Sequence, residues 1–210
     1  MTRIAIADDH VLVRRGLAEL LREMDDLRVV AECTSGDELL RAVRDERVDV
    51  VVMDMNMPGP TGLDLVKSLH AEHPRLPLLV LSAHPEDQYA VRVVRAGAMG
   101  YLTKESAEAD LVEAIRRVVA GKRFLSQTLA ESLLDALDAD PEADPHAALS
   151  DREYQTMRML ASGMTVGGIA EELALSVKTV STYRTRLLQK MGMANNAELT
   201  RYALENGLVD

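Results

Sequence analysis

Five side chains that suit phosphoryl chemistry stand just after short apolar runs in the first half of the sequence. They are Asp8, Asp9, Asp54, Ser82 and Lys104. Clustered carboxylates repel one another and need a cation between them, and an all-oxygen ligand set favours a hard ion such as Mg²⁺. An ammonium can neutralise a bound oxyanion, and a hydroxyl can donate a hydrogen bond to it. Together the five predict phosphoryl transfer to a carboxylate.

Alternating short apolar runs and helical periodicity must position these side chains. The predicted strands are Arg3–Ala7, Val29–Glu32, Asp49–Met53, Leu78–Ser82 and Gly100–Leu102, and the predicted helices cover about residues 11–24, 36–46, 62–72, 86–96 and 106–120. Five βα units in succession predict an α/β fold, with a doubly wound parallel sheet. Its strands would bring the five side chains to one edge. Each acidic residue alone fits a solvated loop equally well, but all of them in this order favour a site.

The first 124 residues resemble the receiver domain of two-component response regulators. The matching residues are Asp8-Asp9-His10, Asp54-Met-Asn-Met-Pro58, Gly62, Ser82-Ala83 and Lys104. The resemblance implies a five-stranded flavodoxin-like fold of strand order 2-1-3-4-5. It also implies that Asp54 accepts a phosphoryl group from a sensor histidine kinase. Asp9, Asp54 and the backbone carbonyl of Asn56 would bind Mg²⁺ directly, with Asp8 acting through water.

The same resemblance implies a switch that responds to the phosphoryl group. Ser82 and Lys104 would bind the phosphoryl oxygens, and Tyr101 would rotate inward as the partner of Ser82. A phosphoryl group adds about −1.5 to −2 charges and three acceptor oxygens, which is enough to bias a two-state element. Without the resemblance, Ser82 also fits a strand-end hydroxyl bonded to backbone, and Tyr101 an amphipathic surface residue.

Charge and proline divide the chain into two domains. The sequence has 24 basic and 34 acidic side chains, and residues 126–147 contain six acidic and no basic side chains. Within it, the proline-punctuated residues 138–145 predict a linker, and the four leucines just before them, Leu129, Leu133, Leu134 and Leu137, have the spacing of a short helix. We therefore expect a receiver at 1–124, a short helix and acidic linker at 125–147, and a second domain at 148–210.

Composition also excludes several classes of protein. The one cysteine, Cys33, permits neither an intrachain disulfide nor a thiolate metal site. No apolar run approaches the roughly 18 residues of a membrane span, and Asp8 and Asp9 occupy the place of a signal-peptide core. We therefore expect a cytoplasmic protein with no membrane partner.

The second domain is predicted to contain four helices. Ser150 and Glu153 form a capping-box sequence, and Gly163 is typical of a helix end. Three further helices are expected after the capping residues Thr165, Ser176 and Asn195, and they would end near Leu173, Met191 and Glu205. Gly167 and Gly168 predict a frayed second helix, because each costs roughly 1 kcal/mol against alanine.

The third of these helices has a polar face without acidic residues. Val180, Leu187 and Met191 would face the core, whereas Lys178, Arg184, Arg186 and Lys190 give the helix four positive charges. Basic charge suits a phosphate backbone, and hydroxyl groups can bond base edges in a major groove. The charges alone also fit an ordinary solvated helix face.

Residues 148–210 resemble the LuxR-type helix-turn-helix domain of the NarL/FixJ family. The matching segments are Leu149-Ser-Asp-Arg-Glu153, Ile169-Ala-Glu-Glu-Leu173, Ser176-Val-Lys-Thr-Val180 and Leu187–Met191. The resemblance implies double-stranded promoter DNA and RNA polymerase as partners. Phosphate contacts would come from Lys178, Thr179, Tyr183 and Arg184, base contacts from Ser181, Thr182 and Thr185, with Arg186 on the same helix. The segment 178–184 is especially similar to the GacA/UvrY branch.

A homodimer, at least when phosphorylated, is expected because two linked headpieces bind more tightly than one. Leu199 and Tyr202 on the last helix are candidates for its interface, as are the first and fifth receiver helices. Leu199 fits the core of its own domain equally well.

The two resemblances together imply a phosphorylation-controlled transcription regulator of a two-component system. Two other functions compete with this prediction. An aspartyl-phosphate phosphatase also uses an aspartate nucleophile, Mg²⁺ and lysine, but its Asp-x-Asp pair follows the first strand. Here the candidate follows the third strand as Asp54-Met-Asn56. A receiver without DNA output is the second alternative. We expect a regulated phosphoacceptor, with slow self-dephosphorylation, rather than an enzyme.

Overall fold

The computed structural model describes residues 1–55, 57, 62–82, 88–138, 145–173 and 175–209. It divides into two compact units, Met1–Leu134 and Asp135–Asp210. Among the described helices, none is long and apolar enough to cross a membrane.

A five-stranded sheet forms the centre of the first unit. The strands are β1 (Thr2–Ala7), β2 (Leu27–Cys33), β3 (Val50–Asp54), β4 (Leu78–Ser82) and β5 (Gly100–Thr103). They pair in parallel in the order β2-β1-β3-β4-β5. Every residue of β3 and β4 is buried, as expected for strands covered on both faces. The predicted fold class and strand order are confirmed.

Five helices connect and cover these strands. They are α1 (Val11–Arg22), α2 (Gly36–Asp45), α3 (Gly62–Glu72), α4 (Gln88–Arg95) and α5 (Ala107–Val119). Leu17 and Leu21 of α1 and Leu111 and Ile115 of α5 pack on one face of the sheet with strand residues such as Ile6. The core thus fixes the strand ends from which the candidate site is built.

Gly100 allows an unusually close approach at the start of β5. A Cβ atom there would lie 2.6 Å from Cδ1 of Leu79 and 3.0 Å from the carbonyl oxygen of Phe124. Phe124 instead forms a parallel bridge with Gly100, and its carbonyl accepts the backbone N–H of Tyr101. This contact fixes the backbone beside Tyr101.

The second unit is helical. After α6 (Gln127–Asp138), which spans the division between the units, come a 3₁₀ turn (Pro145–Ala148), α7 (Asp151–Ala161), α8 (Val166–Glu172), α9 (Val177–Lys190) and α10 (Asn196–Glu205). The capping box is present, with Ser150 and Glu153 bonding each other's backbone N–H. The side chains of Thr165, Ser176 and Asn195 each accept the backbone N–H three residues later. Gly163, at φ +87°, follows α7. The four predicted helices are therefore confirmed, and α8 forms despite its two glycines.

Two predicted interface residues of the last helix, Leu199 and Tyr202, have contacts within their own unit. Leu199 is fully buried in the core of its own unit, so it cannot line a dimer interface in this conformation. The Tyr202 hydroxyl lies 2.7 Å from Nδ1 of His146, a buried residue of the 3₁₀ turn. His146 lies within the predicted linker at 125–147. Its burial could not be predicted, because Tyr202 is 56 residues away in the sequence.

Candidate functional site

Two buried carboxylates meet at the carboxyl edge of the sheet. Asp8, just after β1, is fully buried, and Asp54, the last residue of β3, is 2% exposed. Nζ of Lys104, just after β5, lies 2.8 Å from Oδ2 of Asp8 and 3.1 Å from Oδ2 of Asp54. One ammonium therefore bridges two carboxylates from different strands.

Lys104 stays charged in this position. Burial by itself lowers the pKa of its ammonium, but the hydrogen bond to Asp8 and the negative charge of Asp54 outweigh burial and raise the pKa above its ordinary value. With one positive charge against two buried carboxylates, the group keeps a negative excess that a further cation would neutralise.

Asp9 and His10 join Asp8 and Asp54 in a cluster of side chains that could bind a metal ion. Ligand atoms of Asp8, Asp9, His10 and Asp54 all lie within 4.8 Å of one another. Nδ1 of His10 is 2.8 Å from Oδ1 of Asp9, and the backbone N–H of His10 donates to Oδ1 of Asp8. No role is predicted for His10 from the sequence, although its place directly after the aspartate pair could have indicated one. Asn56, the fourth predicted metal ligand, lies outside the described residues.

The predicted switch residues are close to this cluster in the fold. Ser82 ends β4 and is buried, and its carbonyl accepts the backbone N–H of Lys104 at 2.8 Å. Tyr101 lies on β5 opposite Val80, and its ring is buried. By the resemblance to receiver domains, an inward-facing Tyr101 is the orientation expected in the phosphorylated form.

Helix α9 presents the second candidate surface. Val180 and Leu187 are fully buried, whereas Lys178, Ser181, Thr182, Thr185 and Arg186 are exposed and Thr179, Tyr183 and Arg184 are half-buried. All eight predicted DNA-contact residues therefore reach the surface of this helix at least in part.

Hydrogen bonds already orient several of these side chains. The hydroxyls of Thr182 and Thr185 donate to the carbonyls of Lys178 and Ser181 four residues earlier. Nε of Arg184 donates to Oδ1 of Asn196 at 2.7 Å, so α10 helps to fix this guanidinium.

Lys190 is expected from the sequence to add to the positive charge that α9 offers to DNA, but it forms an ion pair within its own domain. Its Nζ lies 2.6 Å from Oε2 of Glu153, so this charge is used inside the domain. The positive charge on α9 that remains for an external anion comes from Lys178, Arg184 and Arg186.

The pair of Lys190 and Glu153 also alters the acidity of the carboxyl group. Burial raises the pKa of Glu153, but the bonds from Lys190 and Ser150 lower it more, so the pKa falls below its ordinary value. Glu153 thus stays ionised at neutral pH and stabilises the start of α7.

Comparison with known proteins matches both halves of the chain. The response regulator receiver domain matches residues 4–116, and the luxR family of bacterial regulatory proteins matches residues 147–203. Response regulator GacA of Pseudomonas viridiflava is 38% identical over 100% of this chain and 99% of its own length. Response regulator UvrY of Escherichia coli K12 is 36% identical over 99% of this chain and 96% of its own length.

Solved structures agree with this assignment. The RcsB response regulator of Salmonella typhimurium has a TM-score of 0.70 at 26% identity, covering 96% of each chain. RcsB bound to promoter rprA with a phosphomimetic beryllofluoride has a TM-score of 0.66 at 26% identity, covering 96% of this chain and 97% of that one. The two domain matches favour a transcription regulator over a phosphatase or a receiver without DNA output. The chain therefore belongs to the response regulators that join a receiver to a LuxR-type DNA-binding domain, with relatives named GacA and UvrY, and it is a phosphorylation-dependent transcription regulator.

Proposed function

We propose that Asp54 is the phosphoacceptor and that a sensor histidine kinase supplies the phosphoryl group. The observation that carries this proposal is the buried carboxylate of Asp54, with the Lys104 ammonium 3.1 Å away. In the proposed step an oxygen of Asp54 attacks phosphorus, and an O–P bond forms as the N–P bond of the kinase phosphohistidine breaks. The imidazole leaves with the electron pair. Lys104 stabilises the charge that develops on the phosphoryl oxygens.

Asp8, Asp9 and Asp54, together with the carbonyl of Asn56, are the residues that would hold Mg²⁺. The fit rests on the chemistry of the donors, since three carboxylates converge with one ammonium among them. Bound Mg²⁺ supplies positive charge that offsets repulsion between these carboxylates and an incoming phosphoryl group. His10 accompanies Asp9 at 2.8 Å and helps to orient it.

Ser82, Lys104 and Tyr101 are proposed to transmit phosphorylation. A phosphoryl group on Asp54 offers strong acceptors to the Ser82 hydroxyl and the Lys104 ammonium. The buried ring of Tyr101 lies two residues before Thr103, which pairs with Ser82 in the sheet. A shift of Ser82 would therefore change the packing around Tyr101. Self-dephosphorylation is proposed to be slow, and it is the only other reaction we assign to the domain.

Helix α9 is proposed to enter the major groove of promoter DNA. The residues predicted to contact phosphates and bases are exposed or half-buried on this helix, and none of the residues of α9 is acidic. A homodimer formed on phosphorylation would place two such helices on two half-sites, with RNA polymerase as the downstream partner. We place this activity in the cytoplasm and assign it to residues 148–210, after a receiver at 1–124 and a short helix and linker at 125–147.

Transfer of radioactive phosphate from a phosphorylated histidine kinase tests the acceptor. We expect the wild-type chain to take up label in the presence of Mg²⁺, and Asp54→Asn to take up none. Asp45→Asn changes an exposed carboxylate at the end of α2 and serves as the matched control with normal uptake. Undiminished labelling of Asp54→Asn would refute the assignment.

A further inference from the structure

Helix α9 carries one exposed apolar side chain that the proposed contacts do not use. The described chain exposes seven large apolar side chains, namely Met1, Val11, Leu12, Val119, Leu134, Val177 and Leu204. Of these, only Val177 lies on α9, where it is the first helical residue and is 57% exposed. Most of its surface therefore faces solvent instead of the core of its own domain.

The register of the helix places Val177 with the proposed base-contact residues. Side chains four residues apart lie on the same face of an α-helix, so Val177, Ser181 and Thr185 form one stripe. Ser181 and Thr185 are both exposed. Residues near the N-terminus of a recognition helix are those that contact base edges. Val177 is therefore at the end of the stripe that would reach furthest into the groove.

The charge around Val177 favours DNA as the surface it meets. The first turn of α9 has no acidic residue, although acidic side chains are favoured there by the helix dipole. The exposed ammonium of Lys178 is adjacent in sequence. This end of the helix thus presents positive potential to a phosphate backbone, with an apolar side chain at its tip.

We propose that Val177 is a specificity-determining residue that contacts the C5-methyl group of a thymine in each half-site. A valine side chain cannot hydrogen-bond to a base, and the thymine methyl is the apolar group that the major groove displays. The proposal rests on the proposed DNA-binding function and adds to it a preference for thymine at one position.

Removal of the methyl group from DNA tests this contact. Binding sites are first selected with the full wild-type chain in Mg²⁺ and beryllofluoride, and each thymine of the half-site is then replaced in turn by deoxyuridine. At one position we expect a loss of about fourfold in affinity per half-site, which corresponds to one buried methyl group. Val177→Ala should bind the thymine and uracil sites equally, and Leu134→Ala, which changes an exposed leucine of α6, should behave as wild type.

Val177→Thr provides a second variant that keeps the β-branched shape but replaces one methyl by a hydroxyl. It should also reduce discrimination between thymine and uracil. The proposal is wrong if no thymine is selected, if no position is sensitive to the methyl, or if Val177→Ala and wild type lose affinity equally at the same position. Failure of the wild-type chain to select any DNA would instead refute the proposed function, and with it this inference.

Discussion

At the scale of single residues, the site depends on an imbalance of charge. Lys104 neutralises one of the two buried carboxylates that it contacts, Asp8 and Asp54. Phosphorylation of Asp54 would add about −1.5 to −2 charges at this point, so the same ammonium would then face a larger negative charge. We therefore expect Lys104, which bridges the two carboxylates in the unmodified site, also to respond to phosphorylation.

Lys178→Ala tests the exposed charge of α9 at the same scale. We expect weaker binding to all DNA sequences and a slope of log affinity against log salt that is smaller by about one, because one counterion-releasing contact is lost. Lys122→Ala removes an exposed charge of the first unit and should leave the slope unchanged. An equal slope for Lys178→Ala and wild type would mean that Lys178 contacts no phosphate.

At the scale of elements, the helix starts were predictable because capping is local. Each helix of the second domain is capped by a side chain that accepts the backbone N–H three residues later; the capping residues are Ser150, Thr165, Ser176 and Asn195. The strand order came from the receiver resemblance, since periodicity alone predicts βα units without an order. The pair of Lys190 and Glu153 was not predictable, because 37 residues separate its members. Whether Leu199 lies in the core or at an interface also depends on residues distant in sequence, so its burial could not be predicted.

Gly167→Ala tests the stability of α8. Gly167 is exposed, and the nearest atom to an added Cβ is Oγ1 of Thr165 at 3.9 Å. We expect the second unit to gain about 1 kcal/mol in free energy of unfolding. Gly163→Ala is the opposite control, because φ at Gly163 is +87°, and it should destabilise by about 1–2 kcal/mol. The urea midpoint of the Met157 methyl NMR signal measures both, and a lower midpoint for Gly167→Ala would contradict the expectation.

Glu153 makes the stability of α7 depend on pH. Its pKa is lowered in the folded chain from an ordinary value of 4.5, so its stabilisation is present above about pH 4.5 and is lost as the pH falls through the folded pKa. Glu153→Gln should cost about 1.5–3 kcal/mol at pH 7 and flatten the fall in stability below pH 4.5. The same Met157 signal reports this change. Glu205→Gln, at an exposed site, should keep the wild-type profile, and a wild-type profile for Glu153→Gln would disprove the role of this pair.

At the scale of the whole molecule, the distribution of charge predicts that DNA binding depends on dimerisation. The chain has a formal net charge of −10, and residues 148–210 have equal numbers of acidic and basic side chains. We therefore expect a single headpiece to attract DNA weakly and two linked headpieces to gain affinity that neither has alone. This balance suits a regulator whose output requires phosphorylation to bring two copies together.

The affinity of the full chain for a selected promoter fragment, with and without beryllofluoride in Mg²⁺, tests the central claim most directly. We predict that the phosphoryl mimic raises the affinity of the wild-type chain roughly 5- to 150-fold, the usual range for coupled sites, and leaves Asp54→Asn unchanged. Equal affinity of the wild-type chain in both conditions would contradict control of DNA binding by phosphorylation at Asp54.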